Sequence, residues 1–329
     1  MKGLLKFINF CACAALLTTA HSEPASAQEN RTSYMTTEKW EAHYLGRFKL
    51  ELPTNSKILA DYKIYNEDVE LIEKNGKSQI KSIVEGYIED LEKGTAKGTS
   101  NEYQKTVPLG NGSILVVSRL KEFYTLNAYL LTTKNTLYRM KADAISAKGL
   151  DGAIHKIRMM SESIFFRAPK EAPPAGGFAL ESGYLQLDPE QALESVYMGA
   201  QISTHPGTYV SLLTQQIAEH KDSLIERFNS NKEDDFAPGS AELMSQTKTL
   251  RKRERMIGTV KAEEVAVTAV VNGKRFYTFQ VEYKGTVESN TKPFIDLELG
   301  THETGSDFKS DEEALAFWDR VVDSLKPLP

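Results

Sequence analysis

Gly46-Arg47-Phe48-Lys49-Leu50-Glu51-Leu52-Pro53 and Gly183-Tyr184-Leu185-Gln186-Leu187-Asp188-Pro189 are two segments of one kind, one in each half of the chain. Each alternates apolar and polar residues, the period of a strand with one buried face, and each stops at a proline, which has no N–H for a ladder. Between them lies APKEAPPAGG, residues 168–177, whose three prolines and two glycines rule out a helix or a central strand. The break falls near the middle of 329 residues, so each side is long enough to bury a core of its own.

Outward from these segments the two halves repeat one order of elements. A hairpin-like pair comes next, turning near Asn66-Glu67-Asp68 and near His205-Pro206-Gly207. A helix follows: Ile80, Ile83, Val84, Tyr87, Ile88 and Leu91 form one apolar stripe, with Ser78 placed as its cap. Ile217, Lys221, Leu224 and Phe228 mark a weaker counterpart. Strands come after it, at Ile114 to Val117, Asn127 to Thr132 and Leu137 to Ala142, beyond the break at Gly110-Asn111-Gly112. In the second half Val265 to Val271 and Phe276 to Tyr283 flank Asn272-Gly273, a strong hairpin signal, and Phe294 to Leu299 adds another strand. Each half closes with a helix: Ile154, Ile157 and Ile164 lead to Pro169, and Leu315, Trp318, Val322 and Leu325 lead to Pro327, with Ser310 and Glu313 as a capping box.

The pattern predicts an α+β protein of two domains with similar topology, each an antiparallel sheet with helices packed mainly on one face. Their expected bounds are 28–168 and 177–329, joined by a Pro/Gly-rich linker at 169–176. A different strand order in the two halves would contradict a duplication.

The first 27 residues predict a cleaved secretory signal. Lys2 and Lys6 precede a short apolar stretch, Phe7 to Leu17, and Ala25-Ser26-Ala27 is a small-x-small cleavage site. The stretch is too short for a stable membrane span, which needs about 20 residues. Both cysteines, Cys11 and Cys13, lie inside it. Phe10-Cys11-Ala12-Cys13 is a poor lipid-attachment box, so anchoring at Cys13 is not expected. Cleavage after Ala27 predicts a periplasmic chain with no cysteine, and so one not held together by disulfides.

A formal net charge of -5 gives no electrostatic reason for nucleic-acid binding, which requires a basic excess. Residues 28–329 hold five histidines, His43, His155, His205, His220 and His302, with no metal-ligand spacing among them. No cofactor or metal is therefore expected. There is no G-x-S-x-G elbow, and Gly94 to Thr99 lacks the G-K-[ST] ending of a phosphate loop. His205-Pro206-Gly207 reads as a turn. Arg251-Lys252-Arg253-Glu254-Arg255 is the one dense basic run, read as a solvated strand or loop edge or as a patch for an acidic partner. Residues 229–239, NSNKEDDFAPG, set Phe236 beside Glu233, Asp234 and Asp235. An aromatic among charges on a loop is a suitable contact finger, so these four are the candidate partner-binding residues. No set of acid, base and nucleophile converges in sequence, which favours a binding protein over an enzyme.

The Gly46-Arg47-Phe48 strand resembles the one that opens the immunity proteins cognate to type VI secretion lipase effectors of the fourth class. The second half is similar to their carboxy-terminal domain: Gly177-Phe178-Ala179-Leu180, Gly183-Tyr184-Leu185, His205-Pro206, Glu254-Arg255-Met256-Ile257-Gly258, Glu263-Glu264, Leu297-Glu298-Leu299-Gly300, Ser310 to Leu315 and Trp318-Asp319 follow in order. The resemblance departs where members often carry cysteine, at or near Tyr44 and Ala179, so a disulfide used elsewhere in the family is absent here. It implies a non-enzymatic periplasmic protein that forms a one-to-one complex with a cognate lipase or phospholipase effector, gripping its lid or cap between two domains. The alternatives are an envelope scaffold with another protein or lipid partner, and a hydrolase in which His43, His155 or His205 meets a carboxylate and a hydroxyl.

Overall fold

In a computed structural model of the chain, residues 39–96, 100–230 and 247–329 are described. The alternating segment at 46–53 is the second arm of a hairpin, β1 (Trp40–Leu45) and β2 (Phe48–Pro53), which turns at Gly46 with φ +56°. A side chain at Gly46 would also meet Val196 at 2.6 Å, so the position demands glycine twice over. β3 (Lys57–Ile64) and β4 (Glu67–Glu73) follow, then α1 (Ile80–Glu92), β5 (Glu102–Pro108), β6 (Ile114–Leu120), β7 (Phe123–Leu131), β8 (Leu137–Ser146), α2 (Leu150–Ser163) and β9 (Ile164–Phe166). The second half repeats the series. It has β10 (Phe178–Leu180), β11 (Gly183–Leu185), β12 (Glu194–Gln201), β13 (Thr208–Gln215), α3 (Leu224–Ser230), β14 (Thr247–Ile257), β15 (Val260–Val271), β16 (Lys274–Tyr283), β17 (Phe294–Thr301), α4 (Asp311–Ser324) and β18 (Lys326–Pro327).

The strand order is the same in both halves. One half runs β3-β4-β8-β7-β6-β5 and the other β12-β13-β17-β16-β15-β14, as the repeated element order predicts. β3 and β12 pair antiparallel over their whole length, Lys57 opposite Gln201 and Ile64 opposite Glu194, which joins the halves into one twelve-stranded sheet. The ends are exchanged as well. β9, the last strand of the first half, pairs with β11, while β18, the last of the second, pairs with β2. Each half therefore completes the small sheet that opens the other.

The α+β class follows from the alternation. On β12 the even-numbered residues from Glu194 to Ala200 are buried and the odd ones half-exposed, and β13 alternates likewise. α2 and α4 cover the inner face with the main core, in which Leu50 and Leu52 of β2 join Trp318 and Val322 of α4. α1 buries Ile80, Val84 and Leu91 on the opposite face, against Val116, Tyr129 and Leu131. The expected cap at α4 forms, with the Glu313 N–H donating to Ser310 Oγ at 3.2 Å, while the Glu313 carboxylate accepts from the Lys309 N–H one residue earlier than in a capping box.

Several local expectations are corrected. Ser78 lies in a 3₁₀ turn and makes no cap; Gln79 precedes α1 without a side-chain bond. The second-half helix starts at Leu224, not Ile217. Ser223 and Glu226 form a reciprocal box there, with the Glu226 N–H on Ser223 Oγ and the Ser223 N–H on Glu226 Oε2. Ile217 sits instead in an isolated bridge with Val287. Ile164 has left α2 for β9.

Candidate partner-binding face

Polar and apolar side chains alternate along each strand, so the face opposite the main core carries every second residue. Strand register places them in rows. One row crosses β3, β12, β13, β17 and β16 as Leu59, Gly199, Ser211, Glu298 and Gln280; the next is Asp61, Tyr197, Leu213, Asp296 and Glu282. Leu59 is 83% exposed in the middle of a continuous sheet, where an apolar side chain normally finds a cover. A side chain added at Gly199 would touch nothing within 4 Å, so the space beside Leu59 is open. Neither α1 nor α3 covers Leu59: α1 packs with β6, β7 and β8 residues, and α3 bonds to β15 through Ile225 N–H and Glu263.

Electrostatics distinguish the second-half side of this face. Asp296 accepts from Gln280 Nε2 at 2.9 Å, and Tyr209 Oη lies 3.4 Å from Glu298. Burial pushes the Asp296 carboxyl up to about 6, with Gln280 opposing and Glu282 adding to the rise. Burial pushes Glu298 up to about 7, and the charge of Asp296 adds to it. Glu282 is paired to Arg227 of α3, with Nη2 at 2.6 Å from Oε2.

The basic run lies on β14, the edge strand of the large sheet, with Lys252, Arg253 and Glu254 exposed, as a solvated strand edge predicts, but its arginines are not a free patch. Arg251, Arg253 and Arg255 lie at alternate positions of β14, on one face of the strand, and turn inward under α4. They surround Glu264, whose side chain is 0% exposed. Arg253 Nε donates to Glu264 at 2.6 Å, Arg251 Nη1 to Asp319 at 2.6 Å, and Arg255 to Asp319 and Asp323 at 3.0 and 2.5 Å. Trp318 Nε1 donates to the same Glu264 at 2.8 Å. The three arginines are neutralised within the protein, so the run is withdrawn as a patch for an acidic partner.

Glu233, Asp234, Asp235 and Phe236 lie outside the described residues. Of the histidines, His43 has Glu41 at 3.8 Å, His205 bonds Thr204 Oγ1 at 2.9 Å and stacks on Phe308, and His155 is exposed on α2. Among the described residues neither His43 nor His155 meets a carboxylate and a hydroxyl together. Among the described residues no group of His, Cys, Asp or Glu is arranged to hold a metal ion, and no helix is long and apolar enough to cross a membrane.

Arg47 is the residue whose role sequence reasoning missed. Its guanidinium makes a two-pronged pair with Glu194 at the start of β12, both contacts at 2.6 Å, and donates to the Gly176 carbonyl at 2.8 Å. The glycine-arginine motif thus ties the first half to the second. Its partner lies 147 residues away, and no local signal points to it.

Residues 171–329 match the family described as Tle cognate immunity protein 4 C-terminal domain. Among solved structures the chain is similar to the apo immunity protein TplEi of T6SS from Pseudomonas aeruginosa, at 28% identity and a TM-score of 0.77, over 88% of this chain and 97% of that one. TplEi complexed with "L" peptide gives 27% identity and 0.74, over 88% and 98%. The Tle4-Tli4 complex contains a chain 28% identical, with a TM-score of 0.77, over 88% and 98%. No curated protein sequence matches. Residues 171–329 therefore belong to the Tle cognate immunity protein 4 C-terminal domain family, in a chain that shares the fold of the type VI secretion immunity proteins over most of its length.

Proposed function

We propose that the chain is a periplasmic immunity protein that binds a type VI secretion phospholipase effector and inhibits it without chemistry of its own. The observations that carry this reading are Leu59, 83% exposed in the middle of the sheet, and a fold similar to a protein solved as the Tle4-Tli4 complex. Export through residues 1–27 would place the inhibitor where a phospholipase delivered from another cell would meet membrane lipid. Stoichiometric neutralisation calls for a dissociation constant near nanomolar, about 12 kcal/mol. That is within reach of an interface of roughly 1,600 Å² with a central anchor and a polar rim.

The finer geometry belongs to the same proposal. The units 28–168 and 177–329 act as two arms that hold the effector's lid or cap over the sheet centre and keep its active site from lipid. Mixed with the lipase encoded beside it, the purified protein is expected to form a one-to-one complex and to stop vesicle hydrolysis at equimolar ratio. A complex that leaves hydrolysis intact would overturn the inhibitory mechanism. Glu233 to Phe236 remain the proposed contact finger. Phe236→Ala is expected to weaken the complex at least tenfold, which a titration of the lipase would read; unchanged affinity removes the finger from the interface.

A further inference from the structure

Nothing inside the fold requires glycine at position 199. Gly199 sits in the middle of β12 at an extended backbone position that any residue adopts, and an added side chain would meet nothing within 4 Å. Glycine in a strand interior weakens the sheet, and it often marks a place that another group approaches closely. The same face shows what such a place takes. Gly300 of β17 lies opposite Tyr209, whose ring covers it so closely that a side chain there would meet ring atoms at 2.1 Å. Gly199 lies opposite Leu59 instead, and the exposed leucine does not reach over it.

We infer that an aromatic ring of the partner protein lies over Gly199 and against Leu59. The inference rests on the proposed partner-binding function and names the chemistry of its contact. Ser211, next in the row beyond Gly199, is also small, so the floor is flat enough for a ring. The ring's face would cover the glycine backbone and its edge the leucine, the cover that Tyr209 gives Gly300. Because β3 belongs to the first half and β12 to the second, one ring touches both halves.

Charge sets the direction of the segment that carries the ring. Lys57 and Asp61 flank Leu59 on the same face of β3, both exposed and about 13 Å apart along the strand. Neither has an ion-pair partner among the described residues, and Lys63, the next lysine on that face, is held by Asp68 at 2.9 Å. Gln201, opposite Lys57, is engaged by the Pro206 carbonyl and His302. A complementary segment therefore presents an acid toward Lys57 and a base toward Asp61, with the ring between them.

Gly199→Val tests the seat. A β-branched residue suits a strand and packs beside Leu59, so the free protein is expected to melt no lower than the parent. Its side chain takes the space of the ring, so calorimetric titration with the lipase encoded beside it should read at least tenfold weaker binding. Lower melting would show a glycine kept for the fold alone and overturns the seat. Leu59→Ser, at an exposed position, should melt like the parent and bind at least tenfold more weakly. If it instead breaks up self-association of the parent in sedimentation, the occupant is a second copy of this chain. If it lowers the melting temperature, the occupant is another segment of the chain itself. Either result overturns the inference. Lys57→Asp/Asp61→Lys keeps the net charge, breaks no ion pair among the described residues, and should weaken binding about tenfold. Any of these three variants binding as tightly as the parent overturns the seat and leaves the proposed function standing. A lipase that the parent protein does not bind overturns both.

Discussion

Arg47→Ala is expected to destabilise the folded protein by about 3–5 kcal/mol, the cost of removing one partner from a buried ion pair. Glu194 has 4% of its side chain exposed and Arg47 12%, so the stranded carboxylate cannot recover its hydration. The loss also severs the bond to Gly176 at the joint between halves, so chemical denaturation should show one cooperative transition at lower midpoint rather than the release of a single half. A pH dependence identifies the cause. Burial already raises the Glu194 carboxyl, against the lowering effect of Arg47; without Arg47 the group rises further. The variant's folded state then holds a proton that its unfolded state gives up. Its stability relative to the parent therefore falls as pH rises from 5 to 8 and recovers as pH drops. Arg47→Ala/Glu194→Gln should regain part of the loss at pH 8. If the single variant melts like the parent, the pair does not hold the halves together.

Glu264→Ala should be as damaging. Glu264, Asp319 and Asp323 balance the three arginines of β14, and removal of the innermost carboxylate leaves an excess positive charge beneath α4. It also orphans Trp318 Nε1, a buried donor whose desolvation alone costs about 1–3 kcal/mol. The combined loss is expected at about 3–5 kcal/mol. Glu264→Gln keeps an acceptor for the indole and should lose less, so the difference between the two variants reads the Trp318 bond. Arg253→Ala is the contrast: its side chain is 42% exposed and Arg251 and Arg255 still face Glu264, so a change within about 1 kcal/mol is expected. Equal melting of parent and Glu264→Ala would show that the network is not a core element.

The legible parts of the fold were those with signals within a few residues. Asn272-Gly273 marked the β15–β16 hairpin, and Ser310 and Glu313 marked the start of α4. The same kind of signal was present but overlooked at Ser223 and Glu226, where apolar residues upstream suggested a longer helix. The basic run was legible as a strand edge, but the internal pairing of its arginines was not, because charge was read without strand period. Arginines at 251, 253 and 255 fall on one face of β14, but Glu264 on β15 and Asp319 on α4 are what make that face interior. Of the candidate face, Leu297-Glu298-Leu299 was visible only as an alternating strand. Nothing local shows that Glu298 comes to share a row with Leu59.

Alternation, chain breakers and caps act through the backbone of neighbouring residues, so the sequence by itself determined the two halves, the order of elements in each and the proline-rich joint. Only the tertiary structure decided that β3 meets β12, that each half lends its last strand to the other, and that Asp296 and Glu298 share one face with Leu59. Those outcomes depend on which apolar faces bury one another across more than a hundred residues. No local pattern encodes that choice, because it is settled by packing in three dimensions.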